Sequence, residues 1–196
     1  NVRKLRLFTL LSSILLVIFI SLINPTAKER VIDQTISEMN LIDEKKEEHE
    51  GIYIFSKAHT HHYISAYRMF LDNKVLGVGV KNFRYFCSDK KYEISNLSCA
   101  THPHNTYVQI LAETGIIGFL FLITLLFYFI KLIFKHLLFK FNGKTYFNDF
   151  EICILSGIAI YLWPFVPTGN VFSNWLNIAL ILNLPFLIWS RKSKKT

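Results

Sequence analysis

Four apolar stretches determine what kind of protein this chain forms. A helix needs about 20 consecutive apolar residues to cross the hydrocarbon core of a bilayer. The stretches run from Leu5 to Ile23, from Ile110 to Phe134, from Ile152 to Phe165, and from Trp175 to Trp189. Prolines within and beside the last two shorten or kink those helices. The pattern predicts an all-α membrane protein, a polytopic helical bundle with four transmembrane helices.

The basic residues are distributed unevenly along the chain, whose formal net charge is +8. Eleven of the 22 lysines and arginines flank the predicted helices on one side, and the other eleven share residues 24–109 with eleven acidic residues. This is the positive-inside pattern, with both termini in the cytoplasm and the long loop outside. Because the charge follows topology, we predict no nucleic-acid partner.

The predicted organisation follows from these two patterns. The first apolar run is longer than a signal-peptide core, and no small-x-small cleavage site follows Ser21, so we interpret it as a retained helix. Since the chain begins with Asn1, we expect it to be part of a longer membrane protein. The segments are transmembrane helix 1 (1–24), a large periplasmic helical loop with the catalytic motif at its end (25–109), transmembrane helix 2 (110–134), a cytoplasmic basic loop (135–150), transmembrane helices 3 and 4 (151–190), and a cytoplasmic basic tail (191–196).

The external loop contains two of the three cysteines. Cys87 and Cys99 lie twelve residues apart, and Cys153 lies in a predicted span. In an oxidising compartment the loop pair favours a disulfide, and the alternative is two free thiols.

The loop also changes character along its length. The charged segment 27–50, centred on Glu44 to Glu48, is typical of a solvated helix or a mobile linker. Beyond it, apolar residues at helical spacing from Ile64 to Leu71 predict a helix. Two glycines, Gly77 and Gly79, then indicate a tight turn or a close backbone approach to a ligand.

Five of the seven histidines fall into two clusters in this loop. They are His59, His61, His62, His102 and His104. A metal site is one interpretation, but no carboxylate has ligand spacing and the pattern is not that of zinc hydrolases, so we predict none. A second interpretation is a general base, since imidazole takes up a proton near neutral pH. A third is a structural histidine at the membrane interface.

Three cations form a further constellation. Arg68, Lys81 and Arg84 lie outside the predicted membrane, where guanidinium groups suit the phosphates of a pyrophosphate-linked lipid. The alternatives are interfacial anchoring or ion pairs with Asp72 or Asp89. Glu113, in the first turns of the second span, has two readings, and we favour capping of the helix N-terminus over a catalytic acid.

One motif carries a family resemblance. His104-Asn105, followed after nine residues by Gly115 and after two more by Gly118, resembles the signature of the O-antigen ligase and O-antigen polymerase superfamily. Gly115 and Gly118 are expected to allow close helix packing. Further similar segments are Pro103 to Tyr107, Leu111 to Gly115, Gly77-Val78-Gly79 with Phe83, and Pro167 to Asn170 with Asn174-Trp175.

The resemblance implies a metal-independent, inverting glycosyltransferase of the bacterial inner membrane, with its active site facing the periplasm and no cofactor. The implied donor is a glycan on undecaprenyl pyrophosphate, and the acceptor is a glycan or lipid A-core. His104 is implied as the base. Arg68, Arg84, Lys81, Asn105 and His102 are the expected substrate-binding residues, with membrane lipids as surroundings.

Two departures from the family pattern accompany the resemblance. Relatives carry an arginine upstream of the Gly-x-Gly where this chain has His59 to His62, and its nearest arginine is Arg68. The family also has more spans than the four expected here. The alternative functions are a non-enzymatic polysaccharide exporter or channel subunit, and a protein O-oligosaccharyltransferase of the same superfamily.

Overall fold

The computed structural model describes residues 2–39 and 54–193, and this part of the chain is helical without strands. The charged residues Glu44 to Glu48 lie outside the described residues. The helices are α1 (Val2–Ile23), α2 (Pro25–Lys28), a π-helical turn (Glu29–Asp33), α3 (Gln34–Glu38), α4 (Lys57–Asp72), α5 (Phe83–Phe86), α6 (Thr106–Phe141), α7 (Asp149–Tyr161), α8 (Asn174–Ile181) and α9 (Asn183–Ser193).

The chain divides into two compact units, Asn1–Thr60 and His61–Thr196. In the first unit, α1 exposes apolar side chains along its whole length. The α1 helix gives way to α2 at Asn24, whose side-chain oxygen accepts hydrogen bonds from the backbone N–H groups of Thr26 and Ala27 at 3.0 and 3.1 Å. This is an N-cap, and the proline that follows is favoured at the first helical position.

The second unit is organised around α6, which has 36 residues. The helix is broken at Gly115, where the backbone has φ 66° and ψ −161°. Nine residues therefore precede the break and the apolar stretch follows it. The helix is longer at both ends than the predicted segment 110–134, because Asn105 caps it early and apolar residues continue to Phe141.

A first core joins α6 to α7, and Leu184 and Leu187 of α9 pack against it. Leu122 and Phe129 of α6 pack with Leu155 and Ile158 of α7 in one buried cluster. The α7 helix begins at a capping box, in which Asn148 accepts from the backbone of Glu151 at 2.8 Å and the Glu151 carboxylate accepts from the backbone of Asn148 at 2.9 Å. This reciprocal pair satisfies two donors at the start of the helix.

The described residues contain two helices that are long and apolar enough to cross a membrane, Lys4–Ile23 and Thr106–Phe141. The α7, α8 and α9 helices have 13, 8 and 11 residues. At 1.5 Å per residue each is shorter than a hydrocarbon core of about 30 Å. The prediction of four spans is therefore not confirmed.

A second core lies in the loop region between α4 and α6. Ala66, Met69 and Phe83 pack with Cys87 and Ala112, and a disulfide joins Cys87 to Cys99.

The helix predicted from the spacing of Ile64 to Leu71 is α4, but its apolar side is not the buried one. Ile64, Tyr67 and Leu71 are exposed, whereas its small and polar residues face the interior. The buried side consists of His61, His62, Ser65, Ala66 and Met69.

Candidate functional site

The segment with the family resemblance begins with a helix cap. The Asn105 side-chain oxygen accepts hydrogen bonds from the backbone N–H groups of Tyr107 and Val108 at 3.0 and 3.1 Å. Its amide nitrogen donates to the carbonyl of Pro164 at 2.8 Å. Asn105 is buried, so its side chain starts α6 and ties it to the segment after α7. The expected substrate contact of Asn105 stays a prediction.

Thr168 forms hydrogen bonds with the backbone of His104 and with the side chain of Thr106 at the start of α6. Its N–H donates to the His104 carbonyl at 2.8 Å, and its hydroxyl lies 3.0 Å from the hydroxyl of Thr106. His104 itself has φ 60°, a conformation that costs free energy in a residue other than glycine and persists where the surroundings enforce it. The segment after α7 thus fixes the backbone of His104.

Three histidine rings meet at this point. The ring centroids of His102 and His104 are 4.2 Å apart. On the other element, His62 of α4 stacks on His104 with 5.5 Å between centroids and 29° between ring planes. His102 and His62 are buried, and His104 is half-buried. The structure therefore brings residues of both sequence clusters together around His104.

The hydrogen bonds of His102 assign its tautomer. Its Nε2 lies 3.2 Å from the Thr168 carbonyl oxygen, which only accepts, so Nε2 carries the proton. In the neutral ring, Nδ1 then accepts from the Thr101 hydroxyl at 2.9 Å. Burial lowers the pKa of His102, and the charge of Arg84 adds to this, against the Thr168 hydrogen bond and the charge of Glu113. His102 is accordingly a neutral ring with both nitrogens engaged.

Glu113 is fully buried, and its carboxylate binds the loop that leads into α5. Its carboxylate accepts hydrogen bonds from the backbone N–H groups of Lys81 at 2.9 Å and Phe83 at 3.0 Å. Gln109, one turn earlier on α6, donates to the same carboxylate at 3.1 Å. The prediction that Glu113 caps its own helix is wrong, because the backbone N–H groups that its carboxylate accepts from belong to Lys81 and Phe83 and not to the first turn of α6.

The Gly-x-Gly turn docks on the break in α6. The backbone N–H groups of Val78 and Gly79 donate to the carbonyls of Ala112 and Glu113 at 2.9 and 3.0 Å. These carbonyls lie just before Gly115, so the turn binds groups that the helix leaves unsatisfied. The prediction of a close backbone approach is correct in kind, but the partner of the turn is a helix end rather than a ligand.

Gly115 also differs from its expected role. The motif predicts close packing of two helices here, whereas a Cβ at this position would lie 2.3 Å from the carbonyl oxygen of Val75, in the loop. At Gly118, a Cβ would meet the Thr114 hydroxyl of the same helix at 2.0 Å. The loop, not a second helix, occupies the space that Gly115 leaves.

Gln109 connects this loop to the segment after α7. It is fully buried, and besides Glu113 its Nε2 donates to the Asn170 side chain at 2.9 Å. Its Oε1 accepts from the backbone of Val171 at 3.1 Å. The amide of Gln109 therefore links the start of α6 to the loop after α7 directly, and to the loop before α5 through Glu113. The backbone of His104 also depends on the loop after α7.

The three predicted cations have different partners. The side chains of Arg68, Lys81 and Arg84 are all exposed. Arg68 donates to the Glu93 carbonyl at 3.0 Å, in the disulfide-closed loop. Lys81 has φ 62° and offers its backbone to Glu113. Arg84 acts on the pKa of His102, so it is the cation whose charge reaches the histidines.

Sequence reasoning missed three members of this arrangement. The histidine clusters have several interpretations, but none of them places His62 beside His104, although the spacing of His62 to Ser65, Ala66 and Met69 matches one side of a helix. Thr168 lies in a segment that resembles the family, but its partners and those of Gln109 could not be predicted, since both residues act through contacts over sequence separations of about 60 residues. The described residues include no group of three His, Cys, Asp or Glu side chains placed to hold a metal ion.

Comparison with known proteins gives one match. The family model for O-antigen ligase matches residues 1–123, which is more than half of the chain. No protein of curated function and no solved structure matches the chain. The matched region contains all of α1, the first half of α6 with the break at Gly115, the Gly-x-Gly turn and the histidine stack. The chain therefore belongs to the O-antigen ligase family of membrane glycosyltransferases.

Proposed function

We propose that this protein transfers a glycan from undecaprenyl pyrophosphate to a hydroxyl acceptor, either a growing glycan or lipid A-core, with His104 as the general base. The observation that supports this most is the stack of His62, His102 and His104 at the start of α6. A titratable ring that is half-buried, held by its backbone and placed beside a membrane helix is the arrangement that proton transfer requires.

In the proposed reaction, His104 accepts the proton of the acceptor hydroxyl. The oxygen attacks the anomeric carbon of the donor sugar while the bond from that carbon to the pyrophosphate oxygen breaks, with inversion. The electron pair leaves with undecaprenyl pyrophosphate. No metal is required in this scheme, because the base and the leaving-group cations are side chains.

His102 presents an uncharged ring to His104. Burial lowers the pKa of His102, so at neutral pH that ring remains uncharged and does not repel an imidazolium at His104. Two flanking rings also offer π-faces to the cation. His102 then supports the base by stacking, and its expected contact with substrate remains part of the proposal.

Arg84 is the strongest of the three candidates for holding the pyrophosphate. It is exposed, and its charge acts at His102. Lys81 lies three residues earlier on the same loop, with its side chain also exposed. A guanidinium and an ammonium near the departing phosphate stabilise the charge that develops there. Arg68 is engaged with the Glu93 carbonyl and is the weaker candidate.

We also propose that the chain crosses the bacterial inner membrane four times, with the histidines on the periplasmic side. The α8 and α9 helices are separated only by Leu182, so together they supply a run of membrane length. The Cys87–Cys99 disulfide suits an oxidising compartment, and the basic residues from Lys131 to Lys144 and in α9 suit the cytoplasm.

The test is a transfer assay with the full-length protein in detergent and an undecaprenyl-pyrophosphate glycan. His104→Ala is expected to lower the rate about 100-fold or more, as loss of a general base does. EDTA is expected to leave the wild-type rate unchanged. The matched control is His59→Gln, a histidine at the start of α4 whose Nδ1 lies 2.8 Å from the Ser56 hydroxyl, and it is expected to keep near wild-type activity.

Wild-type activity in His104→Ala would exclude the base assignment. Failure of the wild-type protein to release undecaprenyl pyrophosphate, together with glycan movement across proteoliposomes, would favour the exporter. Transfer to a protein hydroxyl in preference to a glycan would identify the oligosaccharyltransferase alternative.

A further inference from the structure

Two cations converge on one phenol at the far end of α6 from the histidines. The Lys135 ammonium lies 4.5 Å from the ring centroid of Tyr146, and the Arg191 guanidinium lies 4.5 Å from it as well. Arg191 also donates to the Tyr146 hydroxyl at 2.7 Å. The hydrogen bond from Lys135 and the charge of Arg191 lower the pKa of Tyr146. The helices α6 and α9 thus place one positive charge each at the Tyr146 ring, which lies in the loop before α7.

The described carboxylates leave this charge without an ion pair. Among the residues that the structure describes, neither Lys135 nor Arg191 forms an ion pair with Asp or Glu. The nearest acidic residues in sequence are Asp149, which is exposed, and Glu151, which is buried. The Glu151 carboxylate accepts from the Asn148 backbone at 2.9 Å and from the Ser190 hydroxyl at 3.3 Å. A bound anion stabilises two like charges that lie close together without a counter-ion.

The cluster lies at the depth of lipid head groups. No charged residue occurs between Glu113 and Lys131, so this stretch of α6 suits the hydrocarbon core. Lys135 is twenty residues beyond the break at Gly115, which corresponds to about 30 Å along the helix, the thickness of that core. Tyrosine is also enriched at this interface.

An apolar groove adjoins the cations. It has a volume of about 220 Å³ and lies between α6 and α7, where Leu137, Leu155 and Ala159 contribute to its walls. Phe147 is common to both features. It lines the groove, and its ring centroid is 4.8 Å from the Arg191 guanidinium. The backbone N–H of Phe147 donates to His136 Nδ1 at 3.2 Å, which fixes this wall.

We propose that Lys135, Tyr146 and Arg191 bind the phosphate of an anionic phospholipid, and that the groove beside Phe147 receives one of its acyl chains. A free phosphate satisfies only the cations, and a neutral lipid satisfies only the groove. An anionic phospholipid satisfies both, because its charge and its chain are covalently joined. This site is separate from the histidine stack and does not depend on the proposed transfer reaction.

The experiment measures lipid retention by the full-length protein in native mass spectrometry, with phosphatidylglycerol and phosphatidylethanolamine of identical acyl chains. Wild type is expected to retain phosphatidylglycerol preferentially. Lys135→Gln combined with Arg191→Gln is expected to lower that retention about 10- to 30-fold, since each interfacial cation contributes about 1 kcal/mol.

Two further variants keep the test decisive. Lys140→Gln combined with Lys144→Gln removes the same charge from exposed positions, and it is expected to lower retention less than about threefold. Ser156→Trp fills the groove from an exposed position while leaving both cations in place, and it is expected to reduce retention as well. Each variant is compared with wild type in thermal unfolding, so that loss of fold is recognised.

Equal retention of the two lipids by wild type would overturn the proposal, and so would equal losses in the two double variants. Displacement of the bound lipid by millimolar glycerophosphoglycerol, which has the head group without acyl chains, would show a simple phosphate site and would also overturn it. Unchanged retention in Ser156→Trp would exclude the groove.

Discussion

Gly77 and Gly115 let the loop before α5 and the break in α6 approach each other closely. A Cβ on Gly115 would lie 2.7 Å from the Gly77 nitrogen, and a Cβ on Gly77 would lie 2.4 Å from the carbonyl carbon of Glu113. Both residues have positive φ, 68° and 66°, which glycine adopts without the strain that a side chain brings. The break in α6 and the Gly-x-Gly turn are therefore one joint, and this joint supports the loop that binds Glu113.

Gly115→Ala is expected to destabilise the protein by about 2–5 kcal/mol, because left-handed strain and a backbone clash act together. The measurement is thermal unfolding in detergent. Two controls separate the causes. Gly157 lies in α7, and a Cβ added there would have nothing within 4 Å. Gly157→Ala is therefore expected to be neutral or to stabilise the protein by up to about 1 kcal/mol. Gly143→Ala has φ 69° but open space, so it reports the strain alone. Equal effects at Gly115 and Gly143 would contradict the clash.

Glu113→Gln is expected to cost about 1–3 kcal/mol of stability, because the amide replaces an oxygen acceptor that faces backbone N–H donors. The Lys81 and Phe83 N–H groups each bond a different carboxylate oxygen, so either orientation of the glutamine leaves one of them facing an NH₂ group. Glu93→Gln changes the same atoms at an exposed position and is expected to change stability by less than about 0.5 kcal/mol. Chemical unfolding of the two variants side by side tests this, and a neutral Glu113→Gln would show that the carboxylate does not hold the loop.

His62→Ala is expected to lower the transfer rate about 3- to 10-fold, the size expected from loss of a stacked aromatic neighbour. His62→Phe keeps a ring against His104 and is expected to recover most of the rate. Steady-state kinetics of both variants distinguish stacking from proton transfer. A rate in His62→Phe as low as that in His62→Ala would indicate that a nitrogen of His62, rather than its ring face, is needed.

The stability of the protein is expected to depend on the protonation of His102. Because burial lowers the folded-state pKa of His102 below its ordinary value of 6.5, the unfolded chain takes up this proton first as the pH falls. Stability is therefore retained above about pH 6.5 and is lost as the pH decreases from there toward the lowered pKa. Unfolding temperatures measured between pH 7.5 and 5.5 test this. His102→Gln is expected to flatten the profile, and an unchanged slope in that variant would assign the pH dependence to other groups.

Local pattern was sufficient for features that depend on neighbouring residues. The apolar run around Leu122 and Phe129 predicts the main body of α6, and the structure has it there with extensions at each end. The spacing from Ile64 to Leu71 predicts α4, but it does not identify the buried side, because that helix exposes its larger apolar residues. The membership of the O-antigen ligase family also followed from a local motif, His104-Asn105 with Gly115 and Gly118.

The sequence by itself determined a helical membrane protein, its family and the position of His104, since hydrophobic length, charge and motif spacing are properties of short segments. Only the tertiary structure decided what surrounds that histidine. His62 comes from another helix, and Thr168 comes from beyond α7. The Glu113 carboxylate binds the loop before α5 and does not cap its own helix. Such partners are set by how the chain folds back on itself, where the break at Gly115 and the buried amide of Gln109 fix the geometry.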